Sequence, residues 1–339
     1  MIRKILFSIL AVIALSTFVS CGGKKTNNNE TDSTKVVSNV NVPFFNSDSA
    51  YNFIKAQVDF GSRVPNSDAH KKCADYLITK LKSFTKDVLV QETKVKSFDG
   101  KTLSIKNIIA SFKPETNNRI FISSHWDSRP FADQDPDVKN HKAPILGAND
   151  GASGVGIIIE LARLLSKNPP PIGVDLVLFD AEDYGQPENS GFPEMEDSWC
   201  LGSQYWAKNP HVKDYYAKFG VLLDMVGGEG ATFTMEGTSM QYAPDIMKKV
   251  WDTAIRSGYS DYFLYSKTGA ITDDHLYINE NAKIPTIDII HHDSSTPSGF
   301  YKYWHTLKDD MAGINKNTIN AVGQTLLTVI FQEETVASK

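Results

Sequence analysis

Apolar residues recur at helical spacing in four segments of the chain. Amphipathic helices place apolar side chains three and four positions apart, and this spacing occurs over 49–60, 68–84, 152–165 and 318–331. Two other segments, 88–95 and 103–112, are separated by Asp99-Gly100. This turn signal predicts a hairpin or a pair of neighbouring strands.

Short apolar runs elsewhere predict strands that are buried on both faces. These runs cover 120–123, 174–179, 221–223 and 286–290. Near-continuous apolar strands are typical of a sheet that helices cover on both sides. With the helical segments between them, they predict an α/β fold: a single globular domain whose central sheet is mixed, mostly parallel and flanked by helices.

Each buried run is followed by side chains that suit a metal or acid–base chemistry. The clusters are His125-Trp126-Asp127, Asp180-Ala181-Glu182-Asp183, Asp224 and His291-His292-Asp293. Sites in open α/β sheets form beyond the carboxyl ends of the strands. Acids that cap turns and helices would explain any one cluster. The four clusters together predict a functional site at the carboxyl-end edge of the sheet.

Composition narrows the function further. The chain has 339 residues, 41% hydrophobic and 11% aromatic, which excludes wholesale disorder. A net charge of −5 and a pI near 5.9 argue against nucleic acid as a partner, because such binders are usually basic. We therefore expect an enzyme with a sizeable core.

The N-terminus is typical of an export signal. Arg3 and Lys4 precede an apolar run at 5–19, which is too short to span a bilayer comfortably. The residues ending at Cys21 resemble the lipobox of bacterial lipoproteins. That resemblance implies a signal peptide over 1–20 and lipidation of Cys21. The polar residues after Cys21 predict a flexible tether over 21–42, which would leave a folded domain over 43–339 in the periplasm. A plain secretory signal is the alternative.

Only two cysteines follow Cys21. Cys73 and Cys200 could pair in an oxidising compartment, although two cysteines are too few for a disulfide scaffold. Cys73 lies in a helical segment, where a buried thiol is the simpler interpretation. The sequence leaves their pairing open.

Five motifs occur in a characteristic order. They are Ser124-His125-Trp126-Asp127, Gly147-Ala148-Asn149-Asp150-Gly151-Ala152-Ser153-Gly154, Glu182-Asp183, Leu223-Asp224-Met225-Val226-Gly227 and Trp304-His305-Thr306. Over 45–331 the chain thereby resembles the zinc-dependent exopeptidase fold shared by aminopeptidases and animal-type glutaminyl cyclases. Within that group, Thr272-Asp273-Asp274-His275 and the Trp before His305 resemble the cyclases.

The resemblance implies one zinc ion per chain. Its ligands would be Asp150, Asp183 and His305, with one position open for substrate. Asp183 stands where the family usually has Glu, so its carboxylate reaches less far. Asp150 precedes a predicted helix, and its alternative role is that of an N-capping carboxylate.

The resemblance also implies the reaction, which is the cyclisation of N-terminal glutamine in peptides and proteins to pyroglutamate. Glu182 would be the general acid/base, and Asp224 and Asp273 would share protons. Trp304 and Trp199 would form apolar walls for the glutamine side chain. We expect a monomer that meets the membrane only through its lipid anchor.

Two alternatives remain. In a two-zinc aminopeptidase, Asp150 would bridge both metals and His125 and Asp224 would complete the second site. A hydrogen bond between Asp273 and Asp224 would disfavour that second metal.

The other alternative is a lipoprotein that keeps the fold and binds a ligand but has lost catalytic activity. Separately, the acidic loop at 188–197 leaves calcium binding open.

Overall fold

Eight strands are present in the computed structural model, which describes residues 41–333. They are β1 (Val88–Lys96), β2 (Thr102–Phe112), β3 (Arg119–His125), β4 (Gly173–Phe179), β5 (Gly220–Asp224), β6 (Phe233–Met235), β7 (Phe263–Lys267) and β8 (Thr286–Ile290). Six form the central sheet in the order β1-β2-β4-β3-β5-β8, and β6 pairs with β7. All six runs predicted as strands lie in the central sheet.

The central sheet is mixed. β1, β2 and β4 are antiparallel neighbours, whereas β4, β3, β5 and β8 are parallel. The parallel strands therefore end at one edge, where His125 pairs with Phe179 and Asp224 with Ile290. This confirms the predicted single α/β domain with a mostly parallel sheet.

Eight α-helices surround the strands in the described part of the chain. They are α1 (Ser47–Val58), α2 (Asp68–Lys82), α3 (Ala152–Lys167), α4 (Leu201–Lys208), α5 (Gly237–Tyr242), α6 (Pro244–Arg256), α7 (Asp274–Tyr277) and α8 (Lys316–Gln332). Short 3-10 turns lie at Val138–Asn140 and Met311–Gly313, and a π turn at Ile278–Ala282. The predicted helices correspond to α1, α2, α3 and α8.

Alternate residues of β3 face opposite layers, as the pleat of a strand requires. Ile120 and Ile122 belong to the larger core, with α1, α3 and α8. Phe121 faces the other layer, where its ring lies 5.7 Å from that of Trp206 in α4. The sheet is thus covered on both faces.

The predicted signal peptide, Cys21 and almost all of the tether lie outside the described residues. Between residues 41 and 333, no helix is both long and apolar enough to cross a membrane. Cys73 and Cys200 are both buried free thiols.

Gly154 lets α3 approach the middle of the sheet. A Cβ there would overlap Ser124 and would lie 2.7 Å from the main-chain oxygen of Leu223. Helix propensity alone would favour alanine by about 1 kcal/mol, but the main-chain oxygen of Leu223 lies in a central strand and cannot move aside. We expect Gly154→Ala to lower the free energy of unfolding by about 1–3 kcal/mol.

Urea denaturation checks this, with Gly269→Ala as the matched control. A Cβ on Gly269 meets no atom within 4 Å, so that variant should match the wild type. Equal stability of the two variants would contradict the close approach of α3.

Candidate active site

Three strand ends bring their predicted side chains together. His125 ends β3, Glu182 and Asp183 follow β4, and Asp224 ends β5. Asp127 joins two of these segments, because its carboxylate accepts hydrogen bonds from the main-chain N–H groups of Glu182 (3.1 Å) and Asp183 (3.3 Å).

The fourth predicted cluster does not take part. His291 is buried against the ring of Tyr301, 5.4 Å away, and burial lowers its pKa to about 4. Asp293 caps a turn by accepting the N–H of Ser295. The sequence-based expectation of a four-strand site was therefore wrong for 291–293.

Asp150 is held by the loop that leads into α3. Arg63 donates to the main-chain oxygens of Trp126, Leu146 and Gly147. The Asp309 carboxylate accepts the N–H groups of Asn149 (2.9 Å) and Asp150 (3.1 Å). The N-cap of α3 is Gly151, so Asp150 does not act as the capping carboxylate.

Asp150, Asp183 and His305 form a group of three possible metal ligands. One donor atom from each lies within 4.8 Å of the other two. His305 Nε2 lies 3.2 Å from Asp183 Oδ1 and 3.7 Å from Asp150 Oδ2. Both Asp183 carboxylate oxygens are buried and accept no hydrogen bond. Unsatisfied buried carboxylate oxygens beside an imidazole nitrogen fit a divalent cation.

A second group shares Asp150. His125 Nε2 lies 3.0 Å from Asp150 Oδ1 and 3.3 Å from Asp224 Oδ1, and these three residues also bring one donor atom each within 4.8 Å of the others. Burial opposes a charge on His125, but the carboxylates of Asp127, Asp150 and Asp224 raise its pKa well above the usual value. The structure therefore also brings together the residues that could bind a second metal ion.

His305 is oriented from behind by an ion pair. Its Nδ1 lies 3.3 Å from Asp133 Oδ1, and the two Asp133 oxygens accept hydrogen bonds of 2.7 and 2.6 Å from Arg129. Burial by itself would raise the pKa of Asp133, but Arg129 and His305 hold it well below the usual value. Asp133 thus stays ionised and fixes the ring with Nε2 toward Asp183.

Glu182 faces the site. Its side chain is 12% exposed, which suits a group that must meet a substrate. Burial and the neighbouring carboxylates of Asp273, Asp183 and Asp274 raise its pKa well above the usual value, while His125 opposes the shift. A carboxyl with these neighbours takes up a proton more readily than one in water, as a general acid/base requires.

Asp273 lies beside the same site. Burial and then the charge of Asp224 raise the pKa of Asp273 to about 6. Its Oδ1 accepts the N–H of Asp274. Among residues 41–333, no hydrogen bond joins Asp273 to Asp224, whose Oδ1 faces His125 instead. The two acids therefore interact through their charges rather than through the direct hydrogen bond that would disfavour a second metal.

A small cavity opens onto these groups, with a volume of about 140 Å³. Its lining includes Glu182, Asp224, Asp273, Trp199 and Trp304. The His305 ring lies between the two indoles, 3.8 Å from Trp304 and 5.9 Å from Trp199. Both tryptophans are therefore walls of the cavity, and both fix a possible metal ligand.

Strained backbone surrounds the site. Ala181, Cys200, Met225 and His305 have φ angles of 54°, 57°, 49° and 54°. Residues other than glycine rarely adopt this left-handed region, and such residues concentrate at functional sites.

Comparison with known proteins identifies the family. A family model described as peptidase family M28 matches residues 107–330. The chain belongs to peptidase family M28.

Two solved structures resemble the chain in both fold and sequence, and a third, more distant relative resembles it in sequence. Bacteroides thetaiotaomicron glutaminyl cyclase bound to N-acetylhistamine is 53% identical, covers 87% of this chain and 100% of that chain, and has a TM-score of 0.85. A Zn-dependent exopeptidase from Parabacteroides distasonis is 50% identical over 86% of this chain and 100% of that chain, also with a TM-score of 0.85. Glutaminyl-peptide cyclotransferase of Gloydius blomhoffii is 24% identical over 80% of this chain and 77% of that protein.

The resemblance deduced from the motifs is thereby confirmed. This M28 chain has glutaminyl cyclases and zinc exopeptidases as relatives, and zinc is the metal that the family indicates. Sequence reasoning missed Arg63, Arg129, Asp133 and Asp309, which hold the candidate ligands in place. Arg129 and Asp133 stand four residues apart, but such a pair is usually a surface salt bridge.

Asp133→Asn tests the orientation of His305. The amide keeps the shape but loses the charge that faces Nδ1, and loss of a group that orients a metal ligand costs about 10–100-fold in metal affinity. We expect a decrease of this size in zinc affinity, measured by competition with a chromophoric chelator.

The matched control is Asp137→Asn. Asp137 is exposed and accepts the N–H of Lys139 in the same loop, so its loss should leave zinc affinity unchanged. Wild-type affinity in the Asp133 variant would show that the ion pair does not orient a metal ligand.

Proposed function

We propose that this M28 protein is a glutaminyl-peptide cyclotransferase, which converts N-terminal glutamine of peptides and proteins to pyroglutamate and releases ammonia. The observation that carries the proposal is that Glu182 and Asp273 line the same cavity as the three possible metal ligands. Likeness to a glutaminyl cyclase at 53% identity over 87% of this chain supports it.

The cavity suits one short side chain. Its volume of about 140 Å³ is below the roughly 300–1,000 Å³ of pockets for larger ligands. Trp199 and Trp304 would enclose the methylene groups of glutamine, leaving its amide toward the acids. The rest of the peptide would extend into solvent, so many proteins could serve as substrates.

Asp150, Asp183 and His305 would hold one zinc ion. When bound, zinc would polarise the γ-carbonyl and stabilise the negative charge that develops on its oxygen. Trp199 and Trp304, on either side of His305, would keep water away from that position.

Glu182 would move the proton. The α-amine forms a C–N bond to the γ-amide carbon, and Glu182 accepts one proton from that amine. As the bond to the amide nitrogen breaks, Glu182 returns the proton and ammonia leaves. Because the donated and returned protons are the same, Glu182 ends the cycle in its starting state.

Asp224 and Asp273 would orient the α-amine. Both line the cavity next to Glu182, and a carboxylate there can accept an N–H of the amine while its lone pair points at the amide carbon. Their mutual charge favours one proton on the pair, the arrangement expected when two buried carboxyls lie close together.

A single metal is favoured by the pairing of Asp224 with Asp273. Burial and the charge of Asp224 raise the pKa of Asp273 to about 6, so the pair favours one shared proton, and a carboxyl that shares a proton is a poorer metal ligand. In the two-zinc aminopeptidase alternative, His125 and Asp224 would instead bind a second ion, which would tie up the substrate's α-amine and supply activated water.

The same proposal includes the location and organisation of the chain. Residues 1–20 would be a signal peptide, Cys21 the lipidated residue, 21–42 the tether and 43–339 the catalytic domain. The anchored monomer would act in the periplasm, where cleavage of export signals creates new N-termini.

Mass spectrometry tests the activity directly. The purified protein with zinc is incubated with a Gln-initiated peptide and with a Leu-initiated peptide of otherwise equal sequence. We expect the loss of one ammonia from the first peptide and no change in the second. Removal of the N-terminal residue from either peptide would favour the aminopeptidase, and two unchanged peptides would overturn both activities.

Glu182→Gln tests the proton transfer. The amide has nearly the same shape but cannot accept the proton, and general acid–base catalysis is worth about 10²–10⁴-fold. We expect kcat to decrease by that factor with zinc content unchanged, measured by ammonia release.

Glu188→Gln is the control, because Glu188 is an exposed residue in the same connection between β4 and α4 as Glu182 and should be dispensable. A Glu182 variant with wild-type kcat would refute the assignment.

A further inference from the structure

Cys200 is a buried thiol to which the mechanism above gives no role. It is completely buried, stands directly before α4 and is a free thiol. Its Sγ lies 3.3 Å from Glu182 Oε1 in hydrogen-bond geometry. No other side chain of the described residues donates a hydrogen bond to the Glu182 carboxylate, whose Oε2 lies 3.9 Å from His125 Nδ1.

The main chain at Cys200 is also joined to Glu182. The N–H of Cys200 donates to the Glu182 carbonyl oxygen at 2.9 Å, and the N–H of Leu201 donates to that of Ala181 at 3.0 Å. Ala181 and Cys200 are both in the left-handed region, which costs free energy for residues with a Cβ. The two segments are therefore fixed to each other by main-chain and side-chain contacts.

The thiol keeps its proton and can donate it in a hydrogen bond to a carboxylate. Burial, together with the charges of Glu182, Asp274 and Asp273, raises the pKa of Cys200 well above the usual value. One Asp273 oxygen, Sγ and one Glu182 oxygen all lie within 4.8 Å of one another. The neutral S–H group therefore lies beside two carboxylates and can donate a hydrogen bond without adding to their negative charge.

We propose that Cys200 is a positioning residue, whose S–H group holds the Glu182 carboxylate in the orientation needed for proton transfer. The inference rests on the proposed cyclase function. It adds to that function a residue that neither contacts the substrate nor binds the metal. Without the donor, the Glu182 side chain would rotate more freely, and a smaller fraction of bound substrate would meet it correctly aligned.

Cys200→Ala, Cys200→Gly and Cys200→Ser separate positioning from packing. Alanine and glycine lack the donor, and glycine also suits the left-handed backbone, so at least one of the two should fold. Serine keeps a donor. Cys73→Ala is the control, because Cys73 is an equally buried free thiol that lies in α2, within the hydrophobic core.

For each variant, kcat and KM on the Gln-initiated peptide, zinc content and melting temperature are measured. Because a thiol is a weak donor, we expect its loss in the alanine and glycine variants to decrease kcat about three- to tenfold, with KM and zinc content unchanged. Cys200→Ser should keep most of the wild-type kcat. Cys73→Ala should keep all of it, even if its melting temperature decreases.

Two results would overturn the inference: wild-type kcat in a folded variant without the donor, or an equal decrease in the serine and alanine variants. A wild-type protein that leaves the Gln-initiated peptide unchanged would instead overturn the proposed function, and this inference with it.

Discussion

Buried carboxylates crowd one edge of the sheet, and the rest of the site depends on how their charge is balanced. Ionised carboxylates in a low-dielectric interior repel one another and lose hydration, so they need cations, donors or protons. Asp150, Asp183 and His305 bring one donor atom each within 4.8 Å of the other two, and neither carboxylate oxygen of Asp183 accepts a hydrogen bond. A divalent cation satisfies this arrangement better than any side chain present.

The surrounding structure keeps that edge rigid. Arg63 fixes the loop before Asp150, Asp127 fixes the main chain of Glu182 and Asp183, and the Arg129–Asp133 pair fixes His305. Each of these contacts holds a segment that carries a site residue, and none of them would contact a substrate. Because these contacts join segments far apart in the chain, the site forms only when the domain is folded, and its geometry is set before a substrate binds.

Much of the fold could be predicted from the sequence, because strands buried on both faces are nearly continuous apolar runs. Short elements such as α5 and α7 have too few residues to show a period, and α4 and α6 were missed as well. The candidate ligands were named through motifs. In contrast, the Asp133–His305 contact joins residues 172 positions apart with no local pattern. Whether Asp273 forms a hydrogen bond with Asp224 or only repels its charge depends on the side-chain rotamers of both residues. The spacing of residues along the sequence does not reveal these rotamers.

We propose that the acids at this edge are arranged around one metal ion. Diffraction data from crystals of the zinc-loaded protein, collected on both sides of the zinc absorption edge, show how many ions are bound and where they lie. One anomalous peak per chain, bounded by Asp150, Asp183 and His305, is the expected result. A second peak between His125 and Asp224, or no peak at the first position, would refute this arrangement.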